Sequence, residues 1–134
     1  MIYLDTSALV KLVRAEAESS ALADWLDERL EMPWLTSALA EVELPRAIIR
    51  AGRPELLASV PAVLSRLDLF DIDDVVRAIA AAYQDPRLRS LDAIHLATAS
   101  VAASVATLTA FVTYDGRLAE SAASLGMPAM APGR

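Results

Sequence analysis

Short apolar segments alternate with longer segments of helical periodicity along the whole chain. The apolar segments predict strands at residues 2–4, 34–36, 67–72, 110–113 and 127–129. Apolar residues at helical spacing predict helices over residues 6–14, 18–30, 37–50, 54–65, 73–83, 91–106 and 116–125. Strands separated by helices in this order predict a three-layer α/β fold, in which helices cover both faces of a mainly parallel, about five-stranded sheet.

Proline, glycine and serine residues mark the ends of the predicted helices. Ser37 can cap the helix 37–50, Gly52 closes it, and Pro54 opens the next helix, which we expect to break near Pro61. Pro45 falls inside the helix 37–50 and removes a backbone hydrogen bond there, so we expect a kink. No repeat, low-complexity segment or linker divides the chain, and we interpret residues 1–134 as one domain.

The sequence favours a cytoplasmic protein that makes no contact with a membrane. Asp5 interrupts the apolar N-terminus, so we expect no signal peptide. Residues 93–112 are long enough to span a bilayer, but they are rich in Ala, Ser and Thr and contain His95, which fits a buried helix followed by a strand better. Cysteine is absent, which excludes disulfides and thiolate metal sites.

The formal net charge of −6, from 12 basic and 18 acidic residues, argues against a nucleic-acid partner. This exclusion depends on where the acids lie. If four of them surround metal ions, the 12 basic residues stand against 14 remaining acids, and the objection weakens. Hydrophobic residues make up 55% of the chain, which favours a self-association or partner surface.

Four acidic residues lie where the predicted fold would bring acids together. An open parallel sheet collects functional groups beyond the carboxyl ends of its strands, and Asp5 and Asp115 each follow a predicted strand. Asp92 lies in the first turn of the helix 91–106, which Ser90 or Asp92 itself could cap. Glu43 falls on the stripe of Leu39, Glu43 and Ala47, the otherwise apolar face of its helix, where an unpaired carboxylate is costly.

Each acid also has a purely structural explanation. Asp5, Asp92 and Asp115 suit N-caps or first-turn positions, and Glu43 could pair with Arg46 or emerge at the edge of its stripe. Taken one by one, these explanations do not account for why three of the acids fall at strand ends or helix starts on one edge of the sheet while Glu43 interrupts an apolar stripe. Clustered carboxylates repel, so holding several ionised requires a cation, and all-oxygen ligands favour Mg²⁺ or Mn²⁺. Such ions suit the hydrolysis of phosphodiesters.

Four segments carry a resemblance to a known family. MIYLDTSALVKL, SALAEVELPRA, SLDAIHLATA and FVTYDGRLAESA, in this order and spacing, resemble the motifs of the PIN-domain ribonucleases, and most closely those of VapC-like toxins of type II toxin–antitoxin systems. The resemblance covers nearly the whole chain. It implies a PIN-like domain with an acidic pocket that binds Mg²⁺ or Mn²⁺, and a metal-dependent endoribonuclease that a cognate VapB-like antitoxin inhibits. It also implies a homodimer and a structured RNA substrate of the tRNA or rRNA class.

The resemblance assigns the catalytic and metal-binding positions to Asp5, Glu43, Asp92 and Asp115. By the same resemblance Asp5 and Asp115 bind metal directly, while Glu43 and Asp92 act partly through water.

Glu43 is preferred to Glu41 because an apolar residue, Leu44, and an arginine–alanine pair follow it, as in the family. Two features depart from the family pattern. Pro45 puts the aim of Glu43 in doubt, and the connection between residues 106 and 110 lacks the glycine often found there.

Several further residues have both a functional and a structural interpretation. Ser7 and Thr113 either orient metal-bound water or satisfy backbone groups, and the second interpretation is preferred. His95 lies three residues after Asp92, which would suit a zinc ligand pair, but one histidine without cysteine favours a structural, hydrogen-bonded role. Trp25 and Trp34 are predicted to be core residues. The candidates for RNA phosphate contacts are Lys11, Arg14, Arg46, Arg50, Arg87, Arg89 and Arg117, although ion pairs or solvated positions explain any one of them equally well.

Two other functions compete with the nuclease interpretation. A phosphoacceptor signalling domain also places acids at strand ends, but no paired acid follows the first strand here, and the sole lysine, Lys11, lies in the first helix. The second is a catalytically idle PIN-like module that binds protein or RNA. The acids at all four positions disfavour this module, while Pro45 keeps it open as an alternative.

Overall fold

Five strands and seven α-helices alternate along the chain in the computed structural model, which describes residues 1–134. The strands are β1 (Ile2–Leu4), β2 (Trp34–Ser37), β3 (Asp68–Phe70), β4 (Ala110–Val112) and β5 (Ala129–Met130). The helices are α1 (Thr6–Val13), α2 (Ser19–Asp27), α3 (Ala40–Arg50), α4 (Val60–Leu64), α5 (Asp74–Ala82), α6 (Ser90–Ala103) and α7 (Gly116–Ser124). A 3₁₀ helix over Pro54–Ser59 precedes α4.

The strands form one sheet in the order β3-β2-β1-β4-β5, and every pairing is parallel. The chain builds outward from β1 to β2 and β3 on one side, and then places β4 and β5 on the other side. The order therefore reverses between β1 and β4. In open parallel sheets, the crevice beyond the carboxyl ends of the strands at such a reversal is where ligands bind.

Side-chain alternation along β1 divides the core between the two faces of the sheet. Ile2 and Leu4 pack into a cluster that contains residues of α1, α2, α3 and α4. Tyr3 points to the opposite face, where it packs with Phe111 and with residues of α6 and α7. The three strand residues of β1 are all fully buried. Helices thus cover both faces, and the predicted three-layer fold with a five-stranded parallel sheet is confirmed.

The predicted elements are present, with differences at their ends. The second helix ends at Asp27 rather than at residue 30, and β3 is shorter than the predicted segment 67–72. The last strand is displaced to Ala129–Met130, because backbone pairing with β4 rather than apolar character selects its residues. The predicted cap of α3 at Ser37 does not form, because Ser37 is the last residue of β2 and its hydroxyl accepts from the backbone N–H of Leu39 outside the helix.

Helix α3 is continuous from Ala40 to Arg50 across Pro45. Pro45 deprives the carbonyl of Glu41 of its helical partner, and Glu41 is an exposed residue. The buried face of α3 is formed by Ala40, Leu44 and Ile48. The stripe of Leu39, Glu43 and Ala47, interpreted from the sequence as the apolar face, is half-buried at the edge of this face.

Among the helices, none has both the length and the apolar character that crossing a membrane requires.

The packing of α3 can be tested with two substitutions on opposite faces. Leu44 is fully buried, whereas Val42 is 63% exposed. We expect Leu44→Ala to lower the free energy of unfolding by about 2–5 kcal/mol through the cavity that it leaves, and Val42→Ala to change it by less than about 0.5 kcal/mol. Urea denaturation followed by circular dichroism measures both. Equal losses for the two variants would contradict the assignment of the buried face.

Candidate active site

The crevice beyond the carboxyl ends of β1 and β4 holds the first of the predicted acids. Asp5 follows β1 directly, and Leu4 pairs with Val112 of β4. Asp5 is also the N-cap of α1, where its Oδ1 accepts from the backbone N–H of Ala8 at 3.0 Å. The structural explanation of Asp5 as a helix cap is therefore correct, and the cap lies at the reversal point of the sheet.

Two hydroxyl groups bind the Asp5 carboxylate. Ser7 Oγ donates to Oδ1 and Thr113 Oγ1 donates to Oδ2, each at 2.6 Å. Asp5 is only 3% exposed. Burial raises the pKa of Asp5 above its ordinary value, and the hydrogen bonds from Ser7 and Thr113 oppose this shift without cancelling it. The ionised carboxylate is thus held in place at an electrostatic cost.

The same two hydroxyl oxygens accept backbone donors from the connection after β4. Ser7 Oγ accepts from the N–H of Tyr114 at 2.8 Å, and Thr113 Oγ1 accepts from the N–H of Asp115 at 3.1 Å. The hydroxyl protons go to Asp5, and the lone pairs satisfy the backbone. This arrangement agrees with the interpretation that Ser7 and Thr113 satisfy backbone groups.

Glu43 lies on α3 with its carboxylate directed toward α6 and the start of α1. Oε1 accepts from Thr6 Oγ1 at 2.7 Å and lies 2.7 Å from Nε2 of His95. Burial acts to raise the pKa of Glu43, but the hydrogen bonds from His95 and Thr6 outweigh burial, and the pKa lies below the ordinary value. Glu43 forms no ion pair with Arg46, one of the two structural explanations considered for it, and pairs with His95 instead. Pro45 does not turn Glu43 away from the crevice.

Asp92 has no hydrogen-bond partner for its carboxylate. It lies in the first turn of α6, whose N-cap is Arg89 without a side-chain cap, so the expectation that Ser90 or Asp92 caps this helix is wrong. Burial raises the pKa of Asp92, and the negative charges of Asp115, Asp5 and Glu43 raise it further. The four predicted acids therefore act on one another at a single place, with Asp92 among them.

Asp115 is the N-cap of α7 and is exposed. Its Oδ1 accepts from the backbone N–H groups of Arg117 at 2.9 Å and Leu118 at 3.2 Å, which leaves Oδ2 without a partner. The asymmetry matches Glu43, where both hydrogen bonds fall on Oε1. In both residues one carboxylate oxygen fixes the side chain and the other is free to bind.

The four predicted ligands suit a hard divalent cation chemically, because all four are carboxylates and Asp92 is unpartnered. No three of the acidic and histidine side chains are placed close enough to hold one ion between them in these conformers. His95 uses both ring nitrogens in hydrogen bonds to Tyr3 and Glu43 and is 2% exposed. Its expected structural role agrees with these contacts, and neither nitrogen is free to bind zinc.

An open groove of about 1020 Å³ begins at Asp92 and Asp115 and extends between α6 and α7. Three arginines line it, namely Arg87, Arg89 and Arg117. Arg87 pairs with Asp85 at 3.3 Å, whereas Arg89 and Arg117 form no ion pair. Lys11, by contrast, is buried and pairs with Glu18 at 2.8 Å, so it does not serve as a phosphate contact.

Tyr3 and Thr6 are site residues that sequence reasoning missed. Tyr3 looks like any aromatic residue of a buried strand, and its phenol lies 2.7 Å from Nδ1 of His95, which is 92 positions away in the chain. Thr6 looks like a first-turn residue, and its partner Glu43 is 37 positions away. The available signal was the polar group that each residue brings into an otherwise buried segment.

Comparison with known proteins gives matches over the whole chain. The PIN domain family matches residues 2–123. Ribonuclease VapC35 of Mycobacterium tuberculosis is 66% identical over 134 residues, which cover 100% of this chain and 98% of that protein. The structure of FitAcB from Neisseria gonorrhoeae covers 98% of both chains, with a TM-score of 0.74 at 22% identity.

A second solved structure has a similar fold at lower identity. It is that of Mycobacterium tuberculosis VapC20, described as a Sarcin-Ricin loop cleaving toxin. The match covers 98% of this chain and 100% of that chain, with a TM-score of 0.73 at 14% identity. The two structures establish likeness of fold.

The raised pKa of Asp92 leads to a prediction about stability and pH. The folded protein holds this proton more tightly than the unfolded chain, so the stability contribution of Asp92 is fully present below its ordinary pKa of 3.8 and is lost as the pH rises through the raised folded pKa. We expect Asp92→Asn to gain stability over the wild type as the pH rises from about 3.5 to 7. The gain stays below about 1 kcal/mol, because this half-buried side chain is partly screened by solvent.

Urea denaturation in EDTA across this pH range measures the difference. Asp24→Asn, at an exposed position of α2, is the matched control, because Asp24 makes no side-chain hydrogen bond. Parallel pH profiles for wild type and Asp92→Asn would show that Asp92 is not under the charge repulsion described above.

Proposed function

Since the chain belongs to the PIN domain family and is 66% identical over its full length to a VapC ribonuclease, we propose that it is a metal-dependent endoribonuclease. In this proposal it is the toxin of a type II toxin–antitoxin system. It hydrolyses RNA phosphodiester bonds at the crevice that holds Asp5, Glu43, Asp92 and Asp115. The observation that carries the proposal is Asp92, an unpartnered carboxylate whose pKa is raised by burial and by the charges of the other three acids.

The carboxylates of this site would hold Mg²⁺ or Mn²⁺. Asp5 and Asp115 are the proposed direct ligands, each fixed at a helix N-terminus by backbone N–H groups. When bound, such a cation activates water and stabilises charge on the phosphodiester. Asp5 is oriented by Ser7 and Thr113, and Glu43 is kept ionised by His95 and Thr6. A cation would most directly relieve the repulsion between Asp92 and the other three carboxylates, because no hydrogen bond stabilises the charge of Asp92.

The proposed partners are those that the resemblance to VapC-like toxins implies. VapC20 is described as cleaving the Sarcin-Ricin loop, which supports a structured RNA of the tRNA or rRNA class as the substrate. A cognate VapB-like antitoxin is the proposed inhibitor, and a cytoplasmic homodimer is the proposed working state.

The phosphoacceptor alternative loses support, because the sole lysine is buried and paired with Glu18. A catalytically idle module is the remaining alternative.

Cleavage of total cellular RNA by the purified, antitoxin-free protein tests the activity. With Mn²⁺ or Mg²⁺ we expect discrete fragments, and we expect EDTA, Asp5→Asn and Asp92→Asn each to reduce cleavage at least about 100-fold, because each removes the cation or one of its ligands. Asp92 accepts no hydrogen bond, so Asp92→Asn is expected to fold normally, and a loss of cleavage in this variant is assigned to the site. Asp5→Asn changes a buried carboxylate that binds two hydroxyls, and its fold is checked by circular dichroism.

Glu43→Gln and Glu41→Gln form the matched pair on α3. Glu41 is exposed, whereas Glu43 is half-buried in the crevice. Only Glu43→Gln is expected to lose activity. A well-folded Asp5→Asn protein with full activity would rule out the proposal, and metal binding without cleavage of any RNA would favour the idle module.

The groove arginines should contact RNA phosphates. In the inactive Asp92→Asn background, Arg89→Gln and Arg117→Gln are each expected to weaken binding of single-stranded RNA. Each should also make the slope of log K against log salt concentration shallower by about 0.7, because one phosphate fewer is neutralised. Fluorescence anisotropy across a salt series measures both quantities. Arg66→Gln is the control, since Arg66 lies over the ring of Trp34 at the first residue of β2, away from the carboxyl edge. Equal salt slopes for all variants would exclude these arginines as phosphate contacts.

A further inference from the structure

A buried row of hydrogen bonds joins the core of the sheet to Glu43. The phenol oxygen of Tyr3 lies 2.7 Å from Nδ1 of His95, and Nε2 of His95 lies 2.7 Å from Oε1 of Glu43. Tyr3 is fully buried, and its ring stacks on Phe111 with a centroid distance of 5.1 Å. The imidazole is therefore held at both nitrogens, with Glu43 alone reaching toward solvent.

The proton on the Glu43 side of the ring follows from the donor inventory. A carboxylate oxygen can only accept, so a nitrogen at 2.7 Å from Oε1 must carry a proton. Nε2 is thus a donor. A neutral ring with its proton on Nε2 presents a lone pair at Nδ1, and the phenol O–H of Tyr3 lies at 2.7 Å to donate to it. The hydrogen-bond direction then runs from Tyr3 through His95 to Glu43.

The hydrogen bonds from Tyr3 through His95 to Glu43 also link the two helix layers. Glu43 belongs to α3, whose buried residues pack with α1 on one face of the sheet. His95 belongs to α6, whose buried residues pack on the other face. Asp92 lies one turn before His95 on the same helix. The bond from His95 to Glu43 therefore fixes one proposed cation ligand relative to another across the carboxyl edge.

We propose that His95 is a positioning residue that, supported by Tyr3, fixes the Glu43 carboxylate relative to Asp92 and thereby sets the affinity of the site for a divalent cation. This inference rests on the proposed function for the identity of the ligands. His95 and Thr6 both bind Oε1, which leaves Oε2 of Glu43 without a protein partner. Without the imidazole, the Thr6 hydroxyl alone holds Oε1, so the glutamate side chain regains part of its rotamer freedom, and cation binding must remove this freedom again at an entropic cost.

Mn²⁺ affinity, measured by isothermal titration calorimetry on metal-free protein, tests the proposal without relying on cleavage. We expect His95→Leu to weaken Mn²⁺ binding about 10- to 100-fold, the range found when a residue that orients a metal ligand is removed. His95→Gln keeps an N–H donor at the reach of Nε2 and is expected to restore most of the affinity. A purely structural His95 would lower the melting temperature and leave the Mn²⁺ affinity within about twofold.

A double-mutant cycle shows whether His95 acts through Glu43. In a Glu43→Ala background, His95→Leu is expected to have no further effect on Mn²⁺ affinity. The same loss in both backgrounds would overturn the proposal. If His95→Leu does not fold, Tyr3→Phe replaces it, because this variant removes a single oxygen and keeps the stack on Phe111. Tyr3→Phe is expected to weaken Mn²⁺ binding by a smaller factor, and unchanged affinity would count against the proposal.

The tautomer of His95 gives a readout that needs no metal. Long-range ¹H–¹⁵N correlation spectra of the metal-free protein are expected to show a proton on Nε2, and a ring protonated at Nδ1 alone would overturn the proposal. The outcomes also separate this inference from the proposed function. A protein that binds Mn²⁺ with the expected His95 dependence but cleaves no RNA fails only as a nuclease. A wild type that binds no Mn²⁺ refutes the positioning role itself.

Discussion

The buried carboxylate of Asp5 is the constraint on which the carboxyl edge of the sheet depends. It ends β1, begins α1 through the N–H of Ala8, and binds the hydroxyls of Ser7 and Thr113. Those hydroxyls in turn accept the backbone donors of the connection that leads from β4 into α7. An apolar residue at position 5 would leave both hydroxyls and a helix N–H unsatisfied in a buried place, at a cost of about 1–3 kcal/mol for each group. The position of Asp115 therefore depends on Asp5 as well.

The hydrogen bonds to Asp5 do not remove the cost of burying its charge, because its pKa stays above the ordinary value. The pKa of Asp92 is also raised, by burial and by three neighbouring charges, and no hydrogen bond to its carboxylate opposes this shift. Glu43 is the exception, since His95 and Thr6 lower its pKa. The site thus combines one well-stabilised carboxylate with two that a cation would stabilise. Such local cost is common at functional sites, where the rest of the fold holds groups in place against their own repulsion.

The fold was largely predictable because its signals are local. The apolar run of residues 2–4 ending at an acid, and the alternation of strands with helices, were enough to place the parallel sheet and the edge that holds Asp5 and Asp115. Glu43 is half-buried and Glu41 is exposed, but the stripe argument for Glu43 is partly mistaken, since the buried face of α3 is offset by one residue from the predicted stripe. An offset of one residue is a rotation of about 100° on a helix, which periodicity with few apolar residues does not resolve.

What the sequence did not reveal depends on partners far apart in the chain. Tyr3 and His95 are joined only when β1 and α6 pack together, and Thr6 meets Glu43 only when α1 and α3 do. The net charge was misleading because it does not show where the acids lie in the fold. A chain of charge −6 repels RNA on average, but four of its acids lie together beside a groove with two unpaired arginines. In the proposed reaction, a cation at these acids offsets the charge that would repel the phosphate backbone. Neutralising the charge of these acids would then favour RNA binding at this groove as well as cleavage.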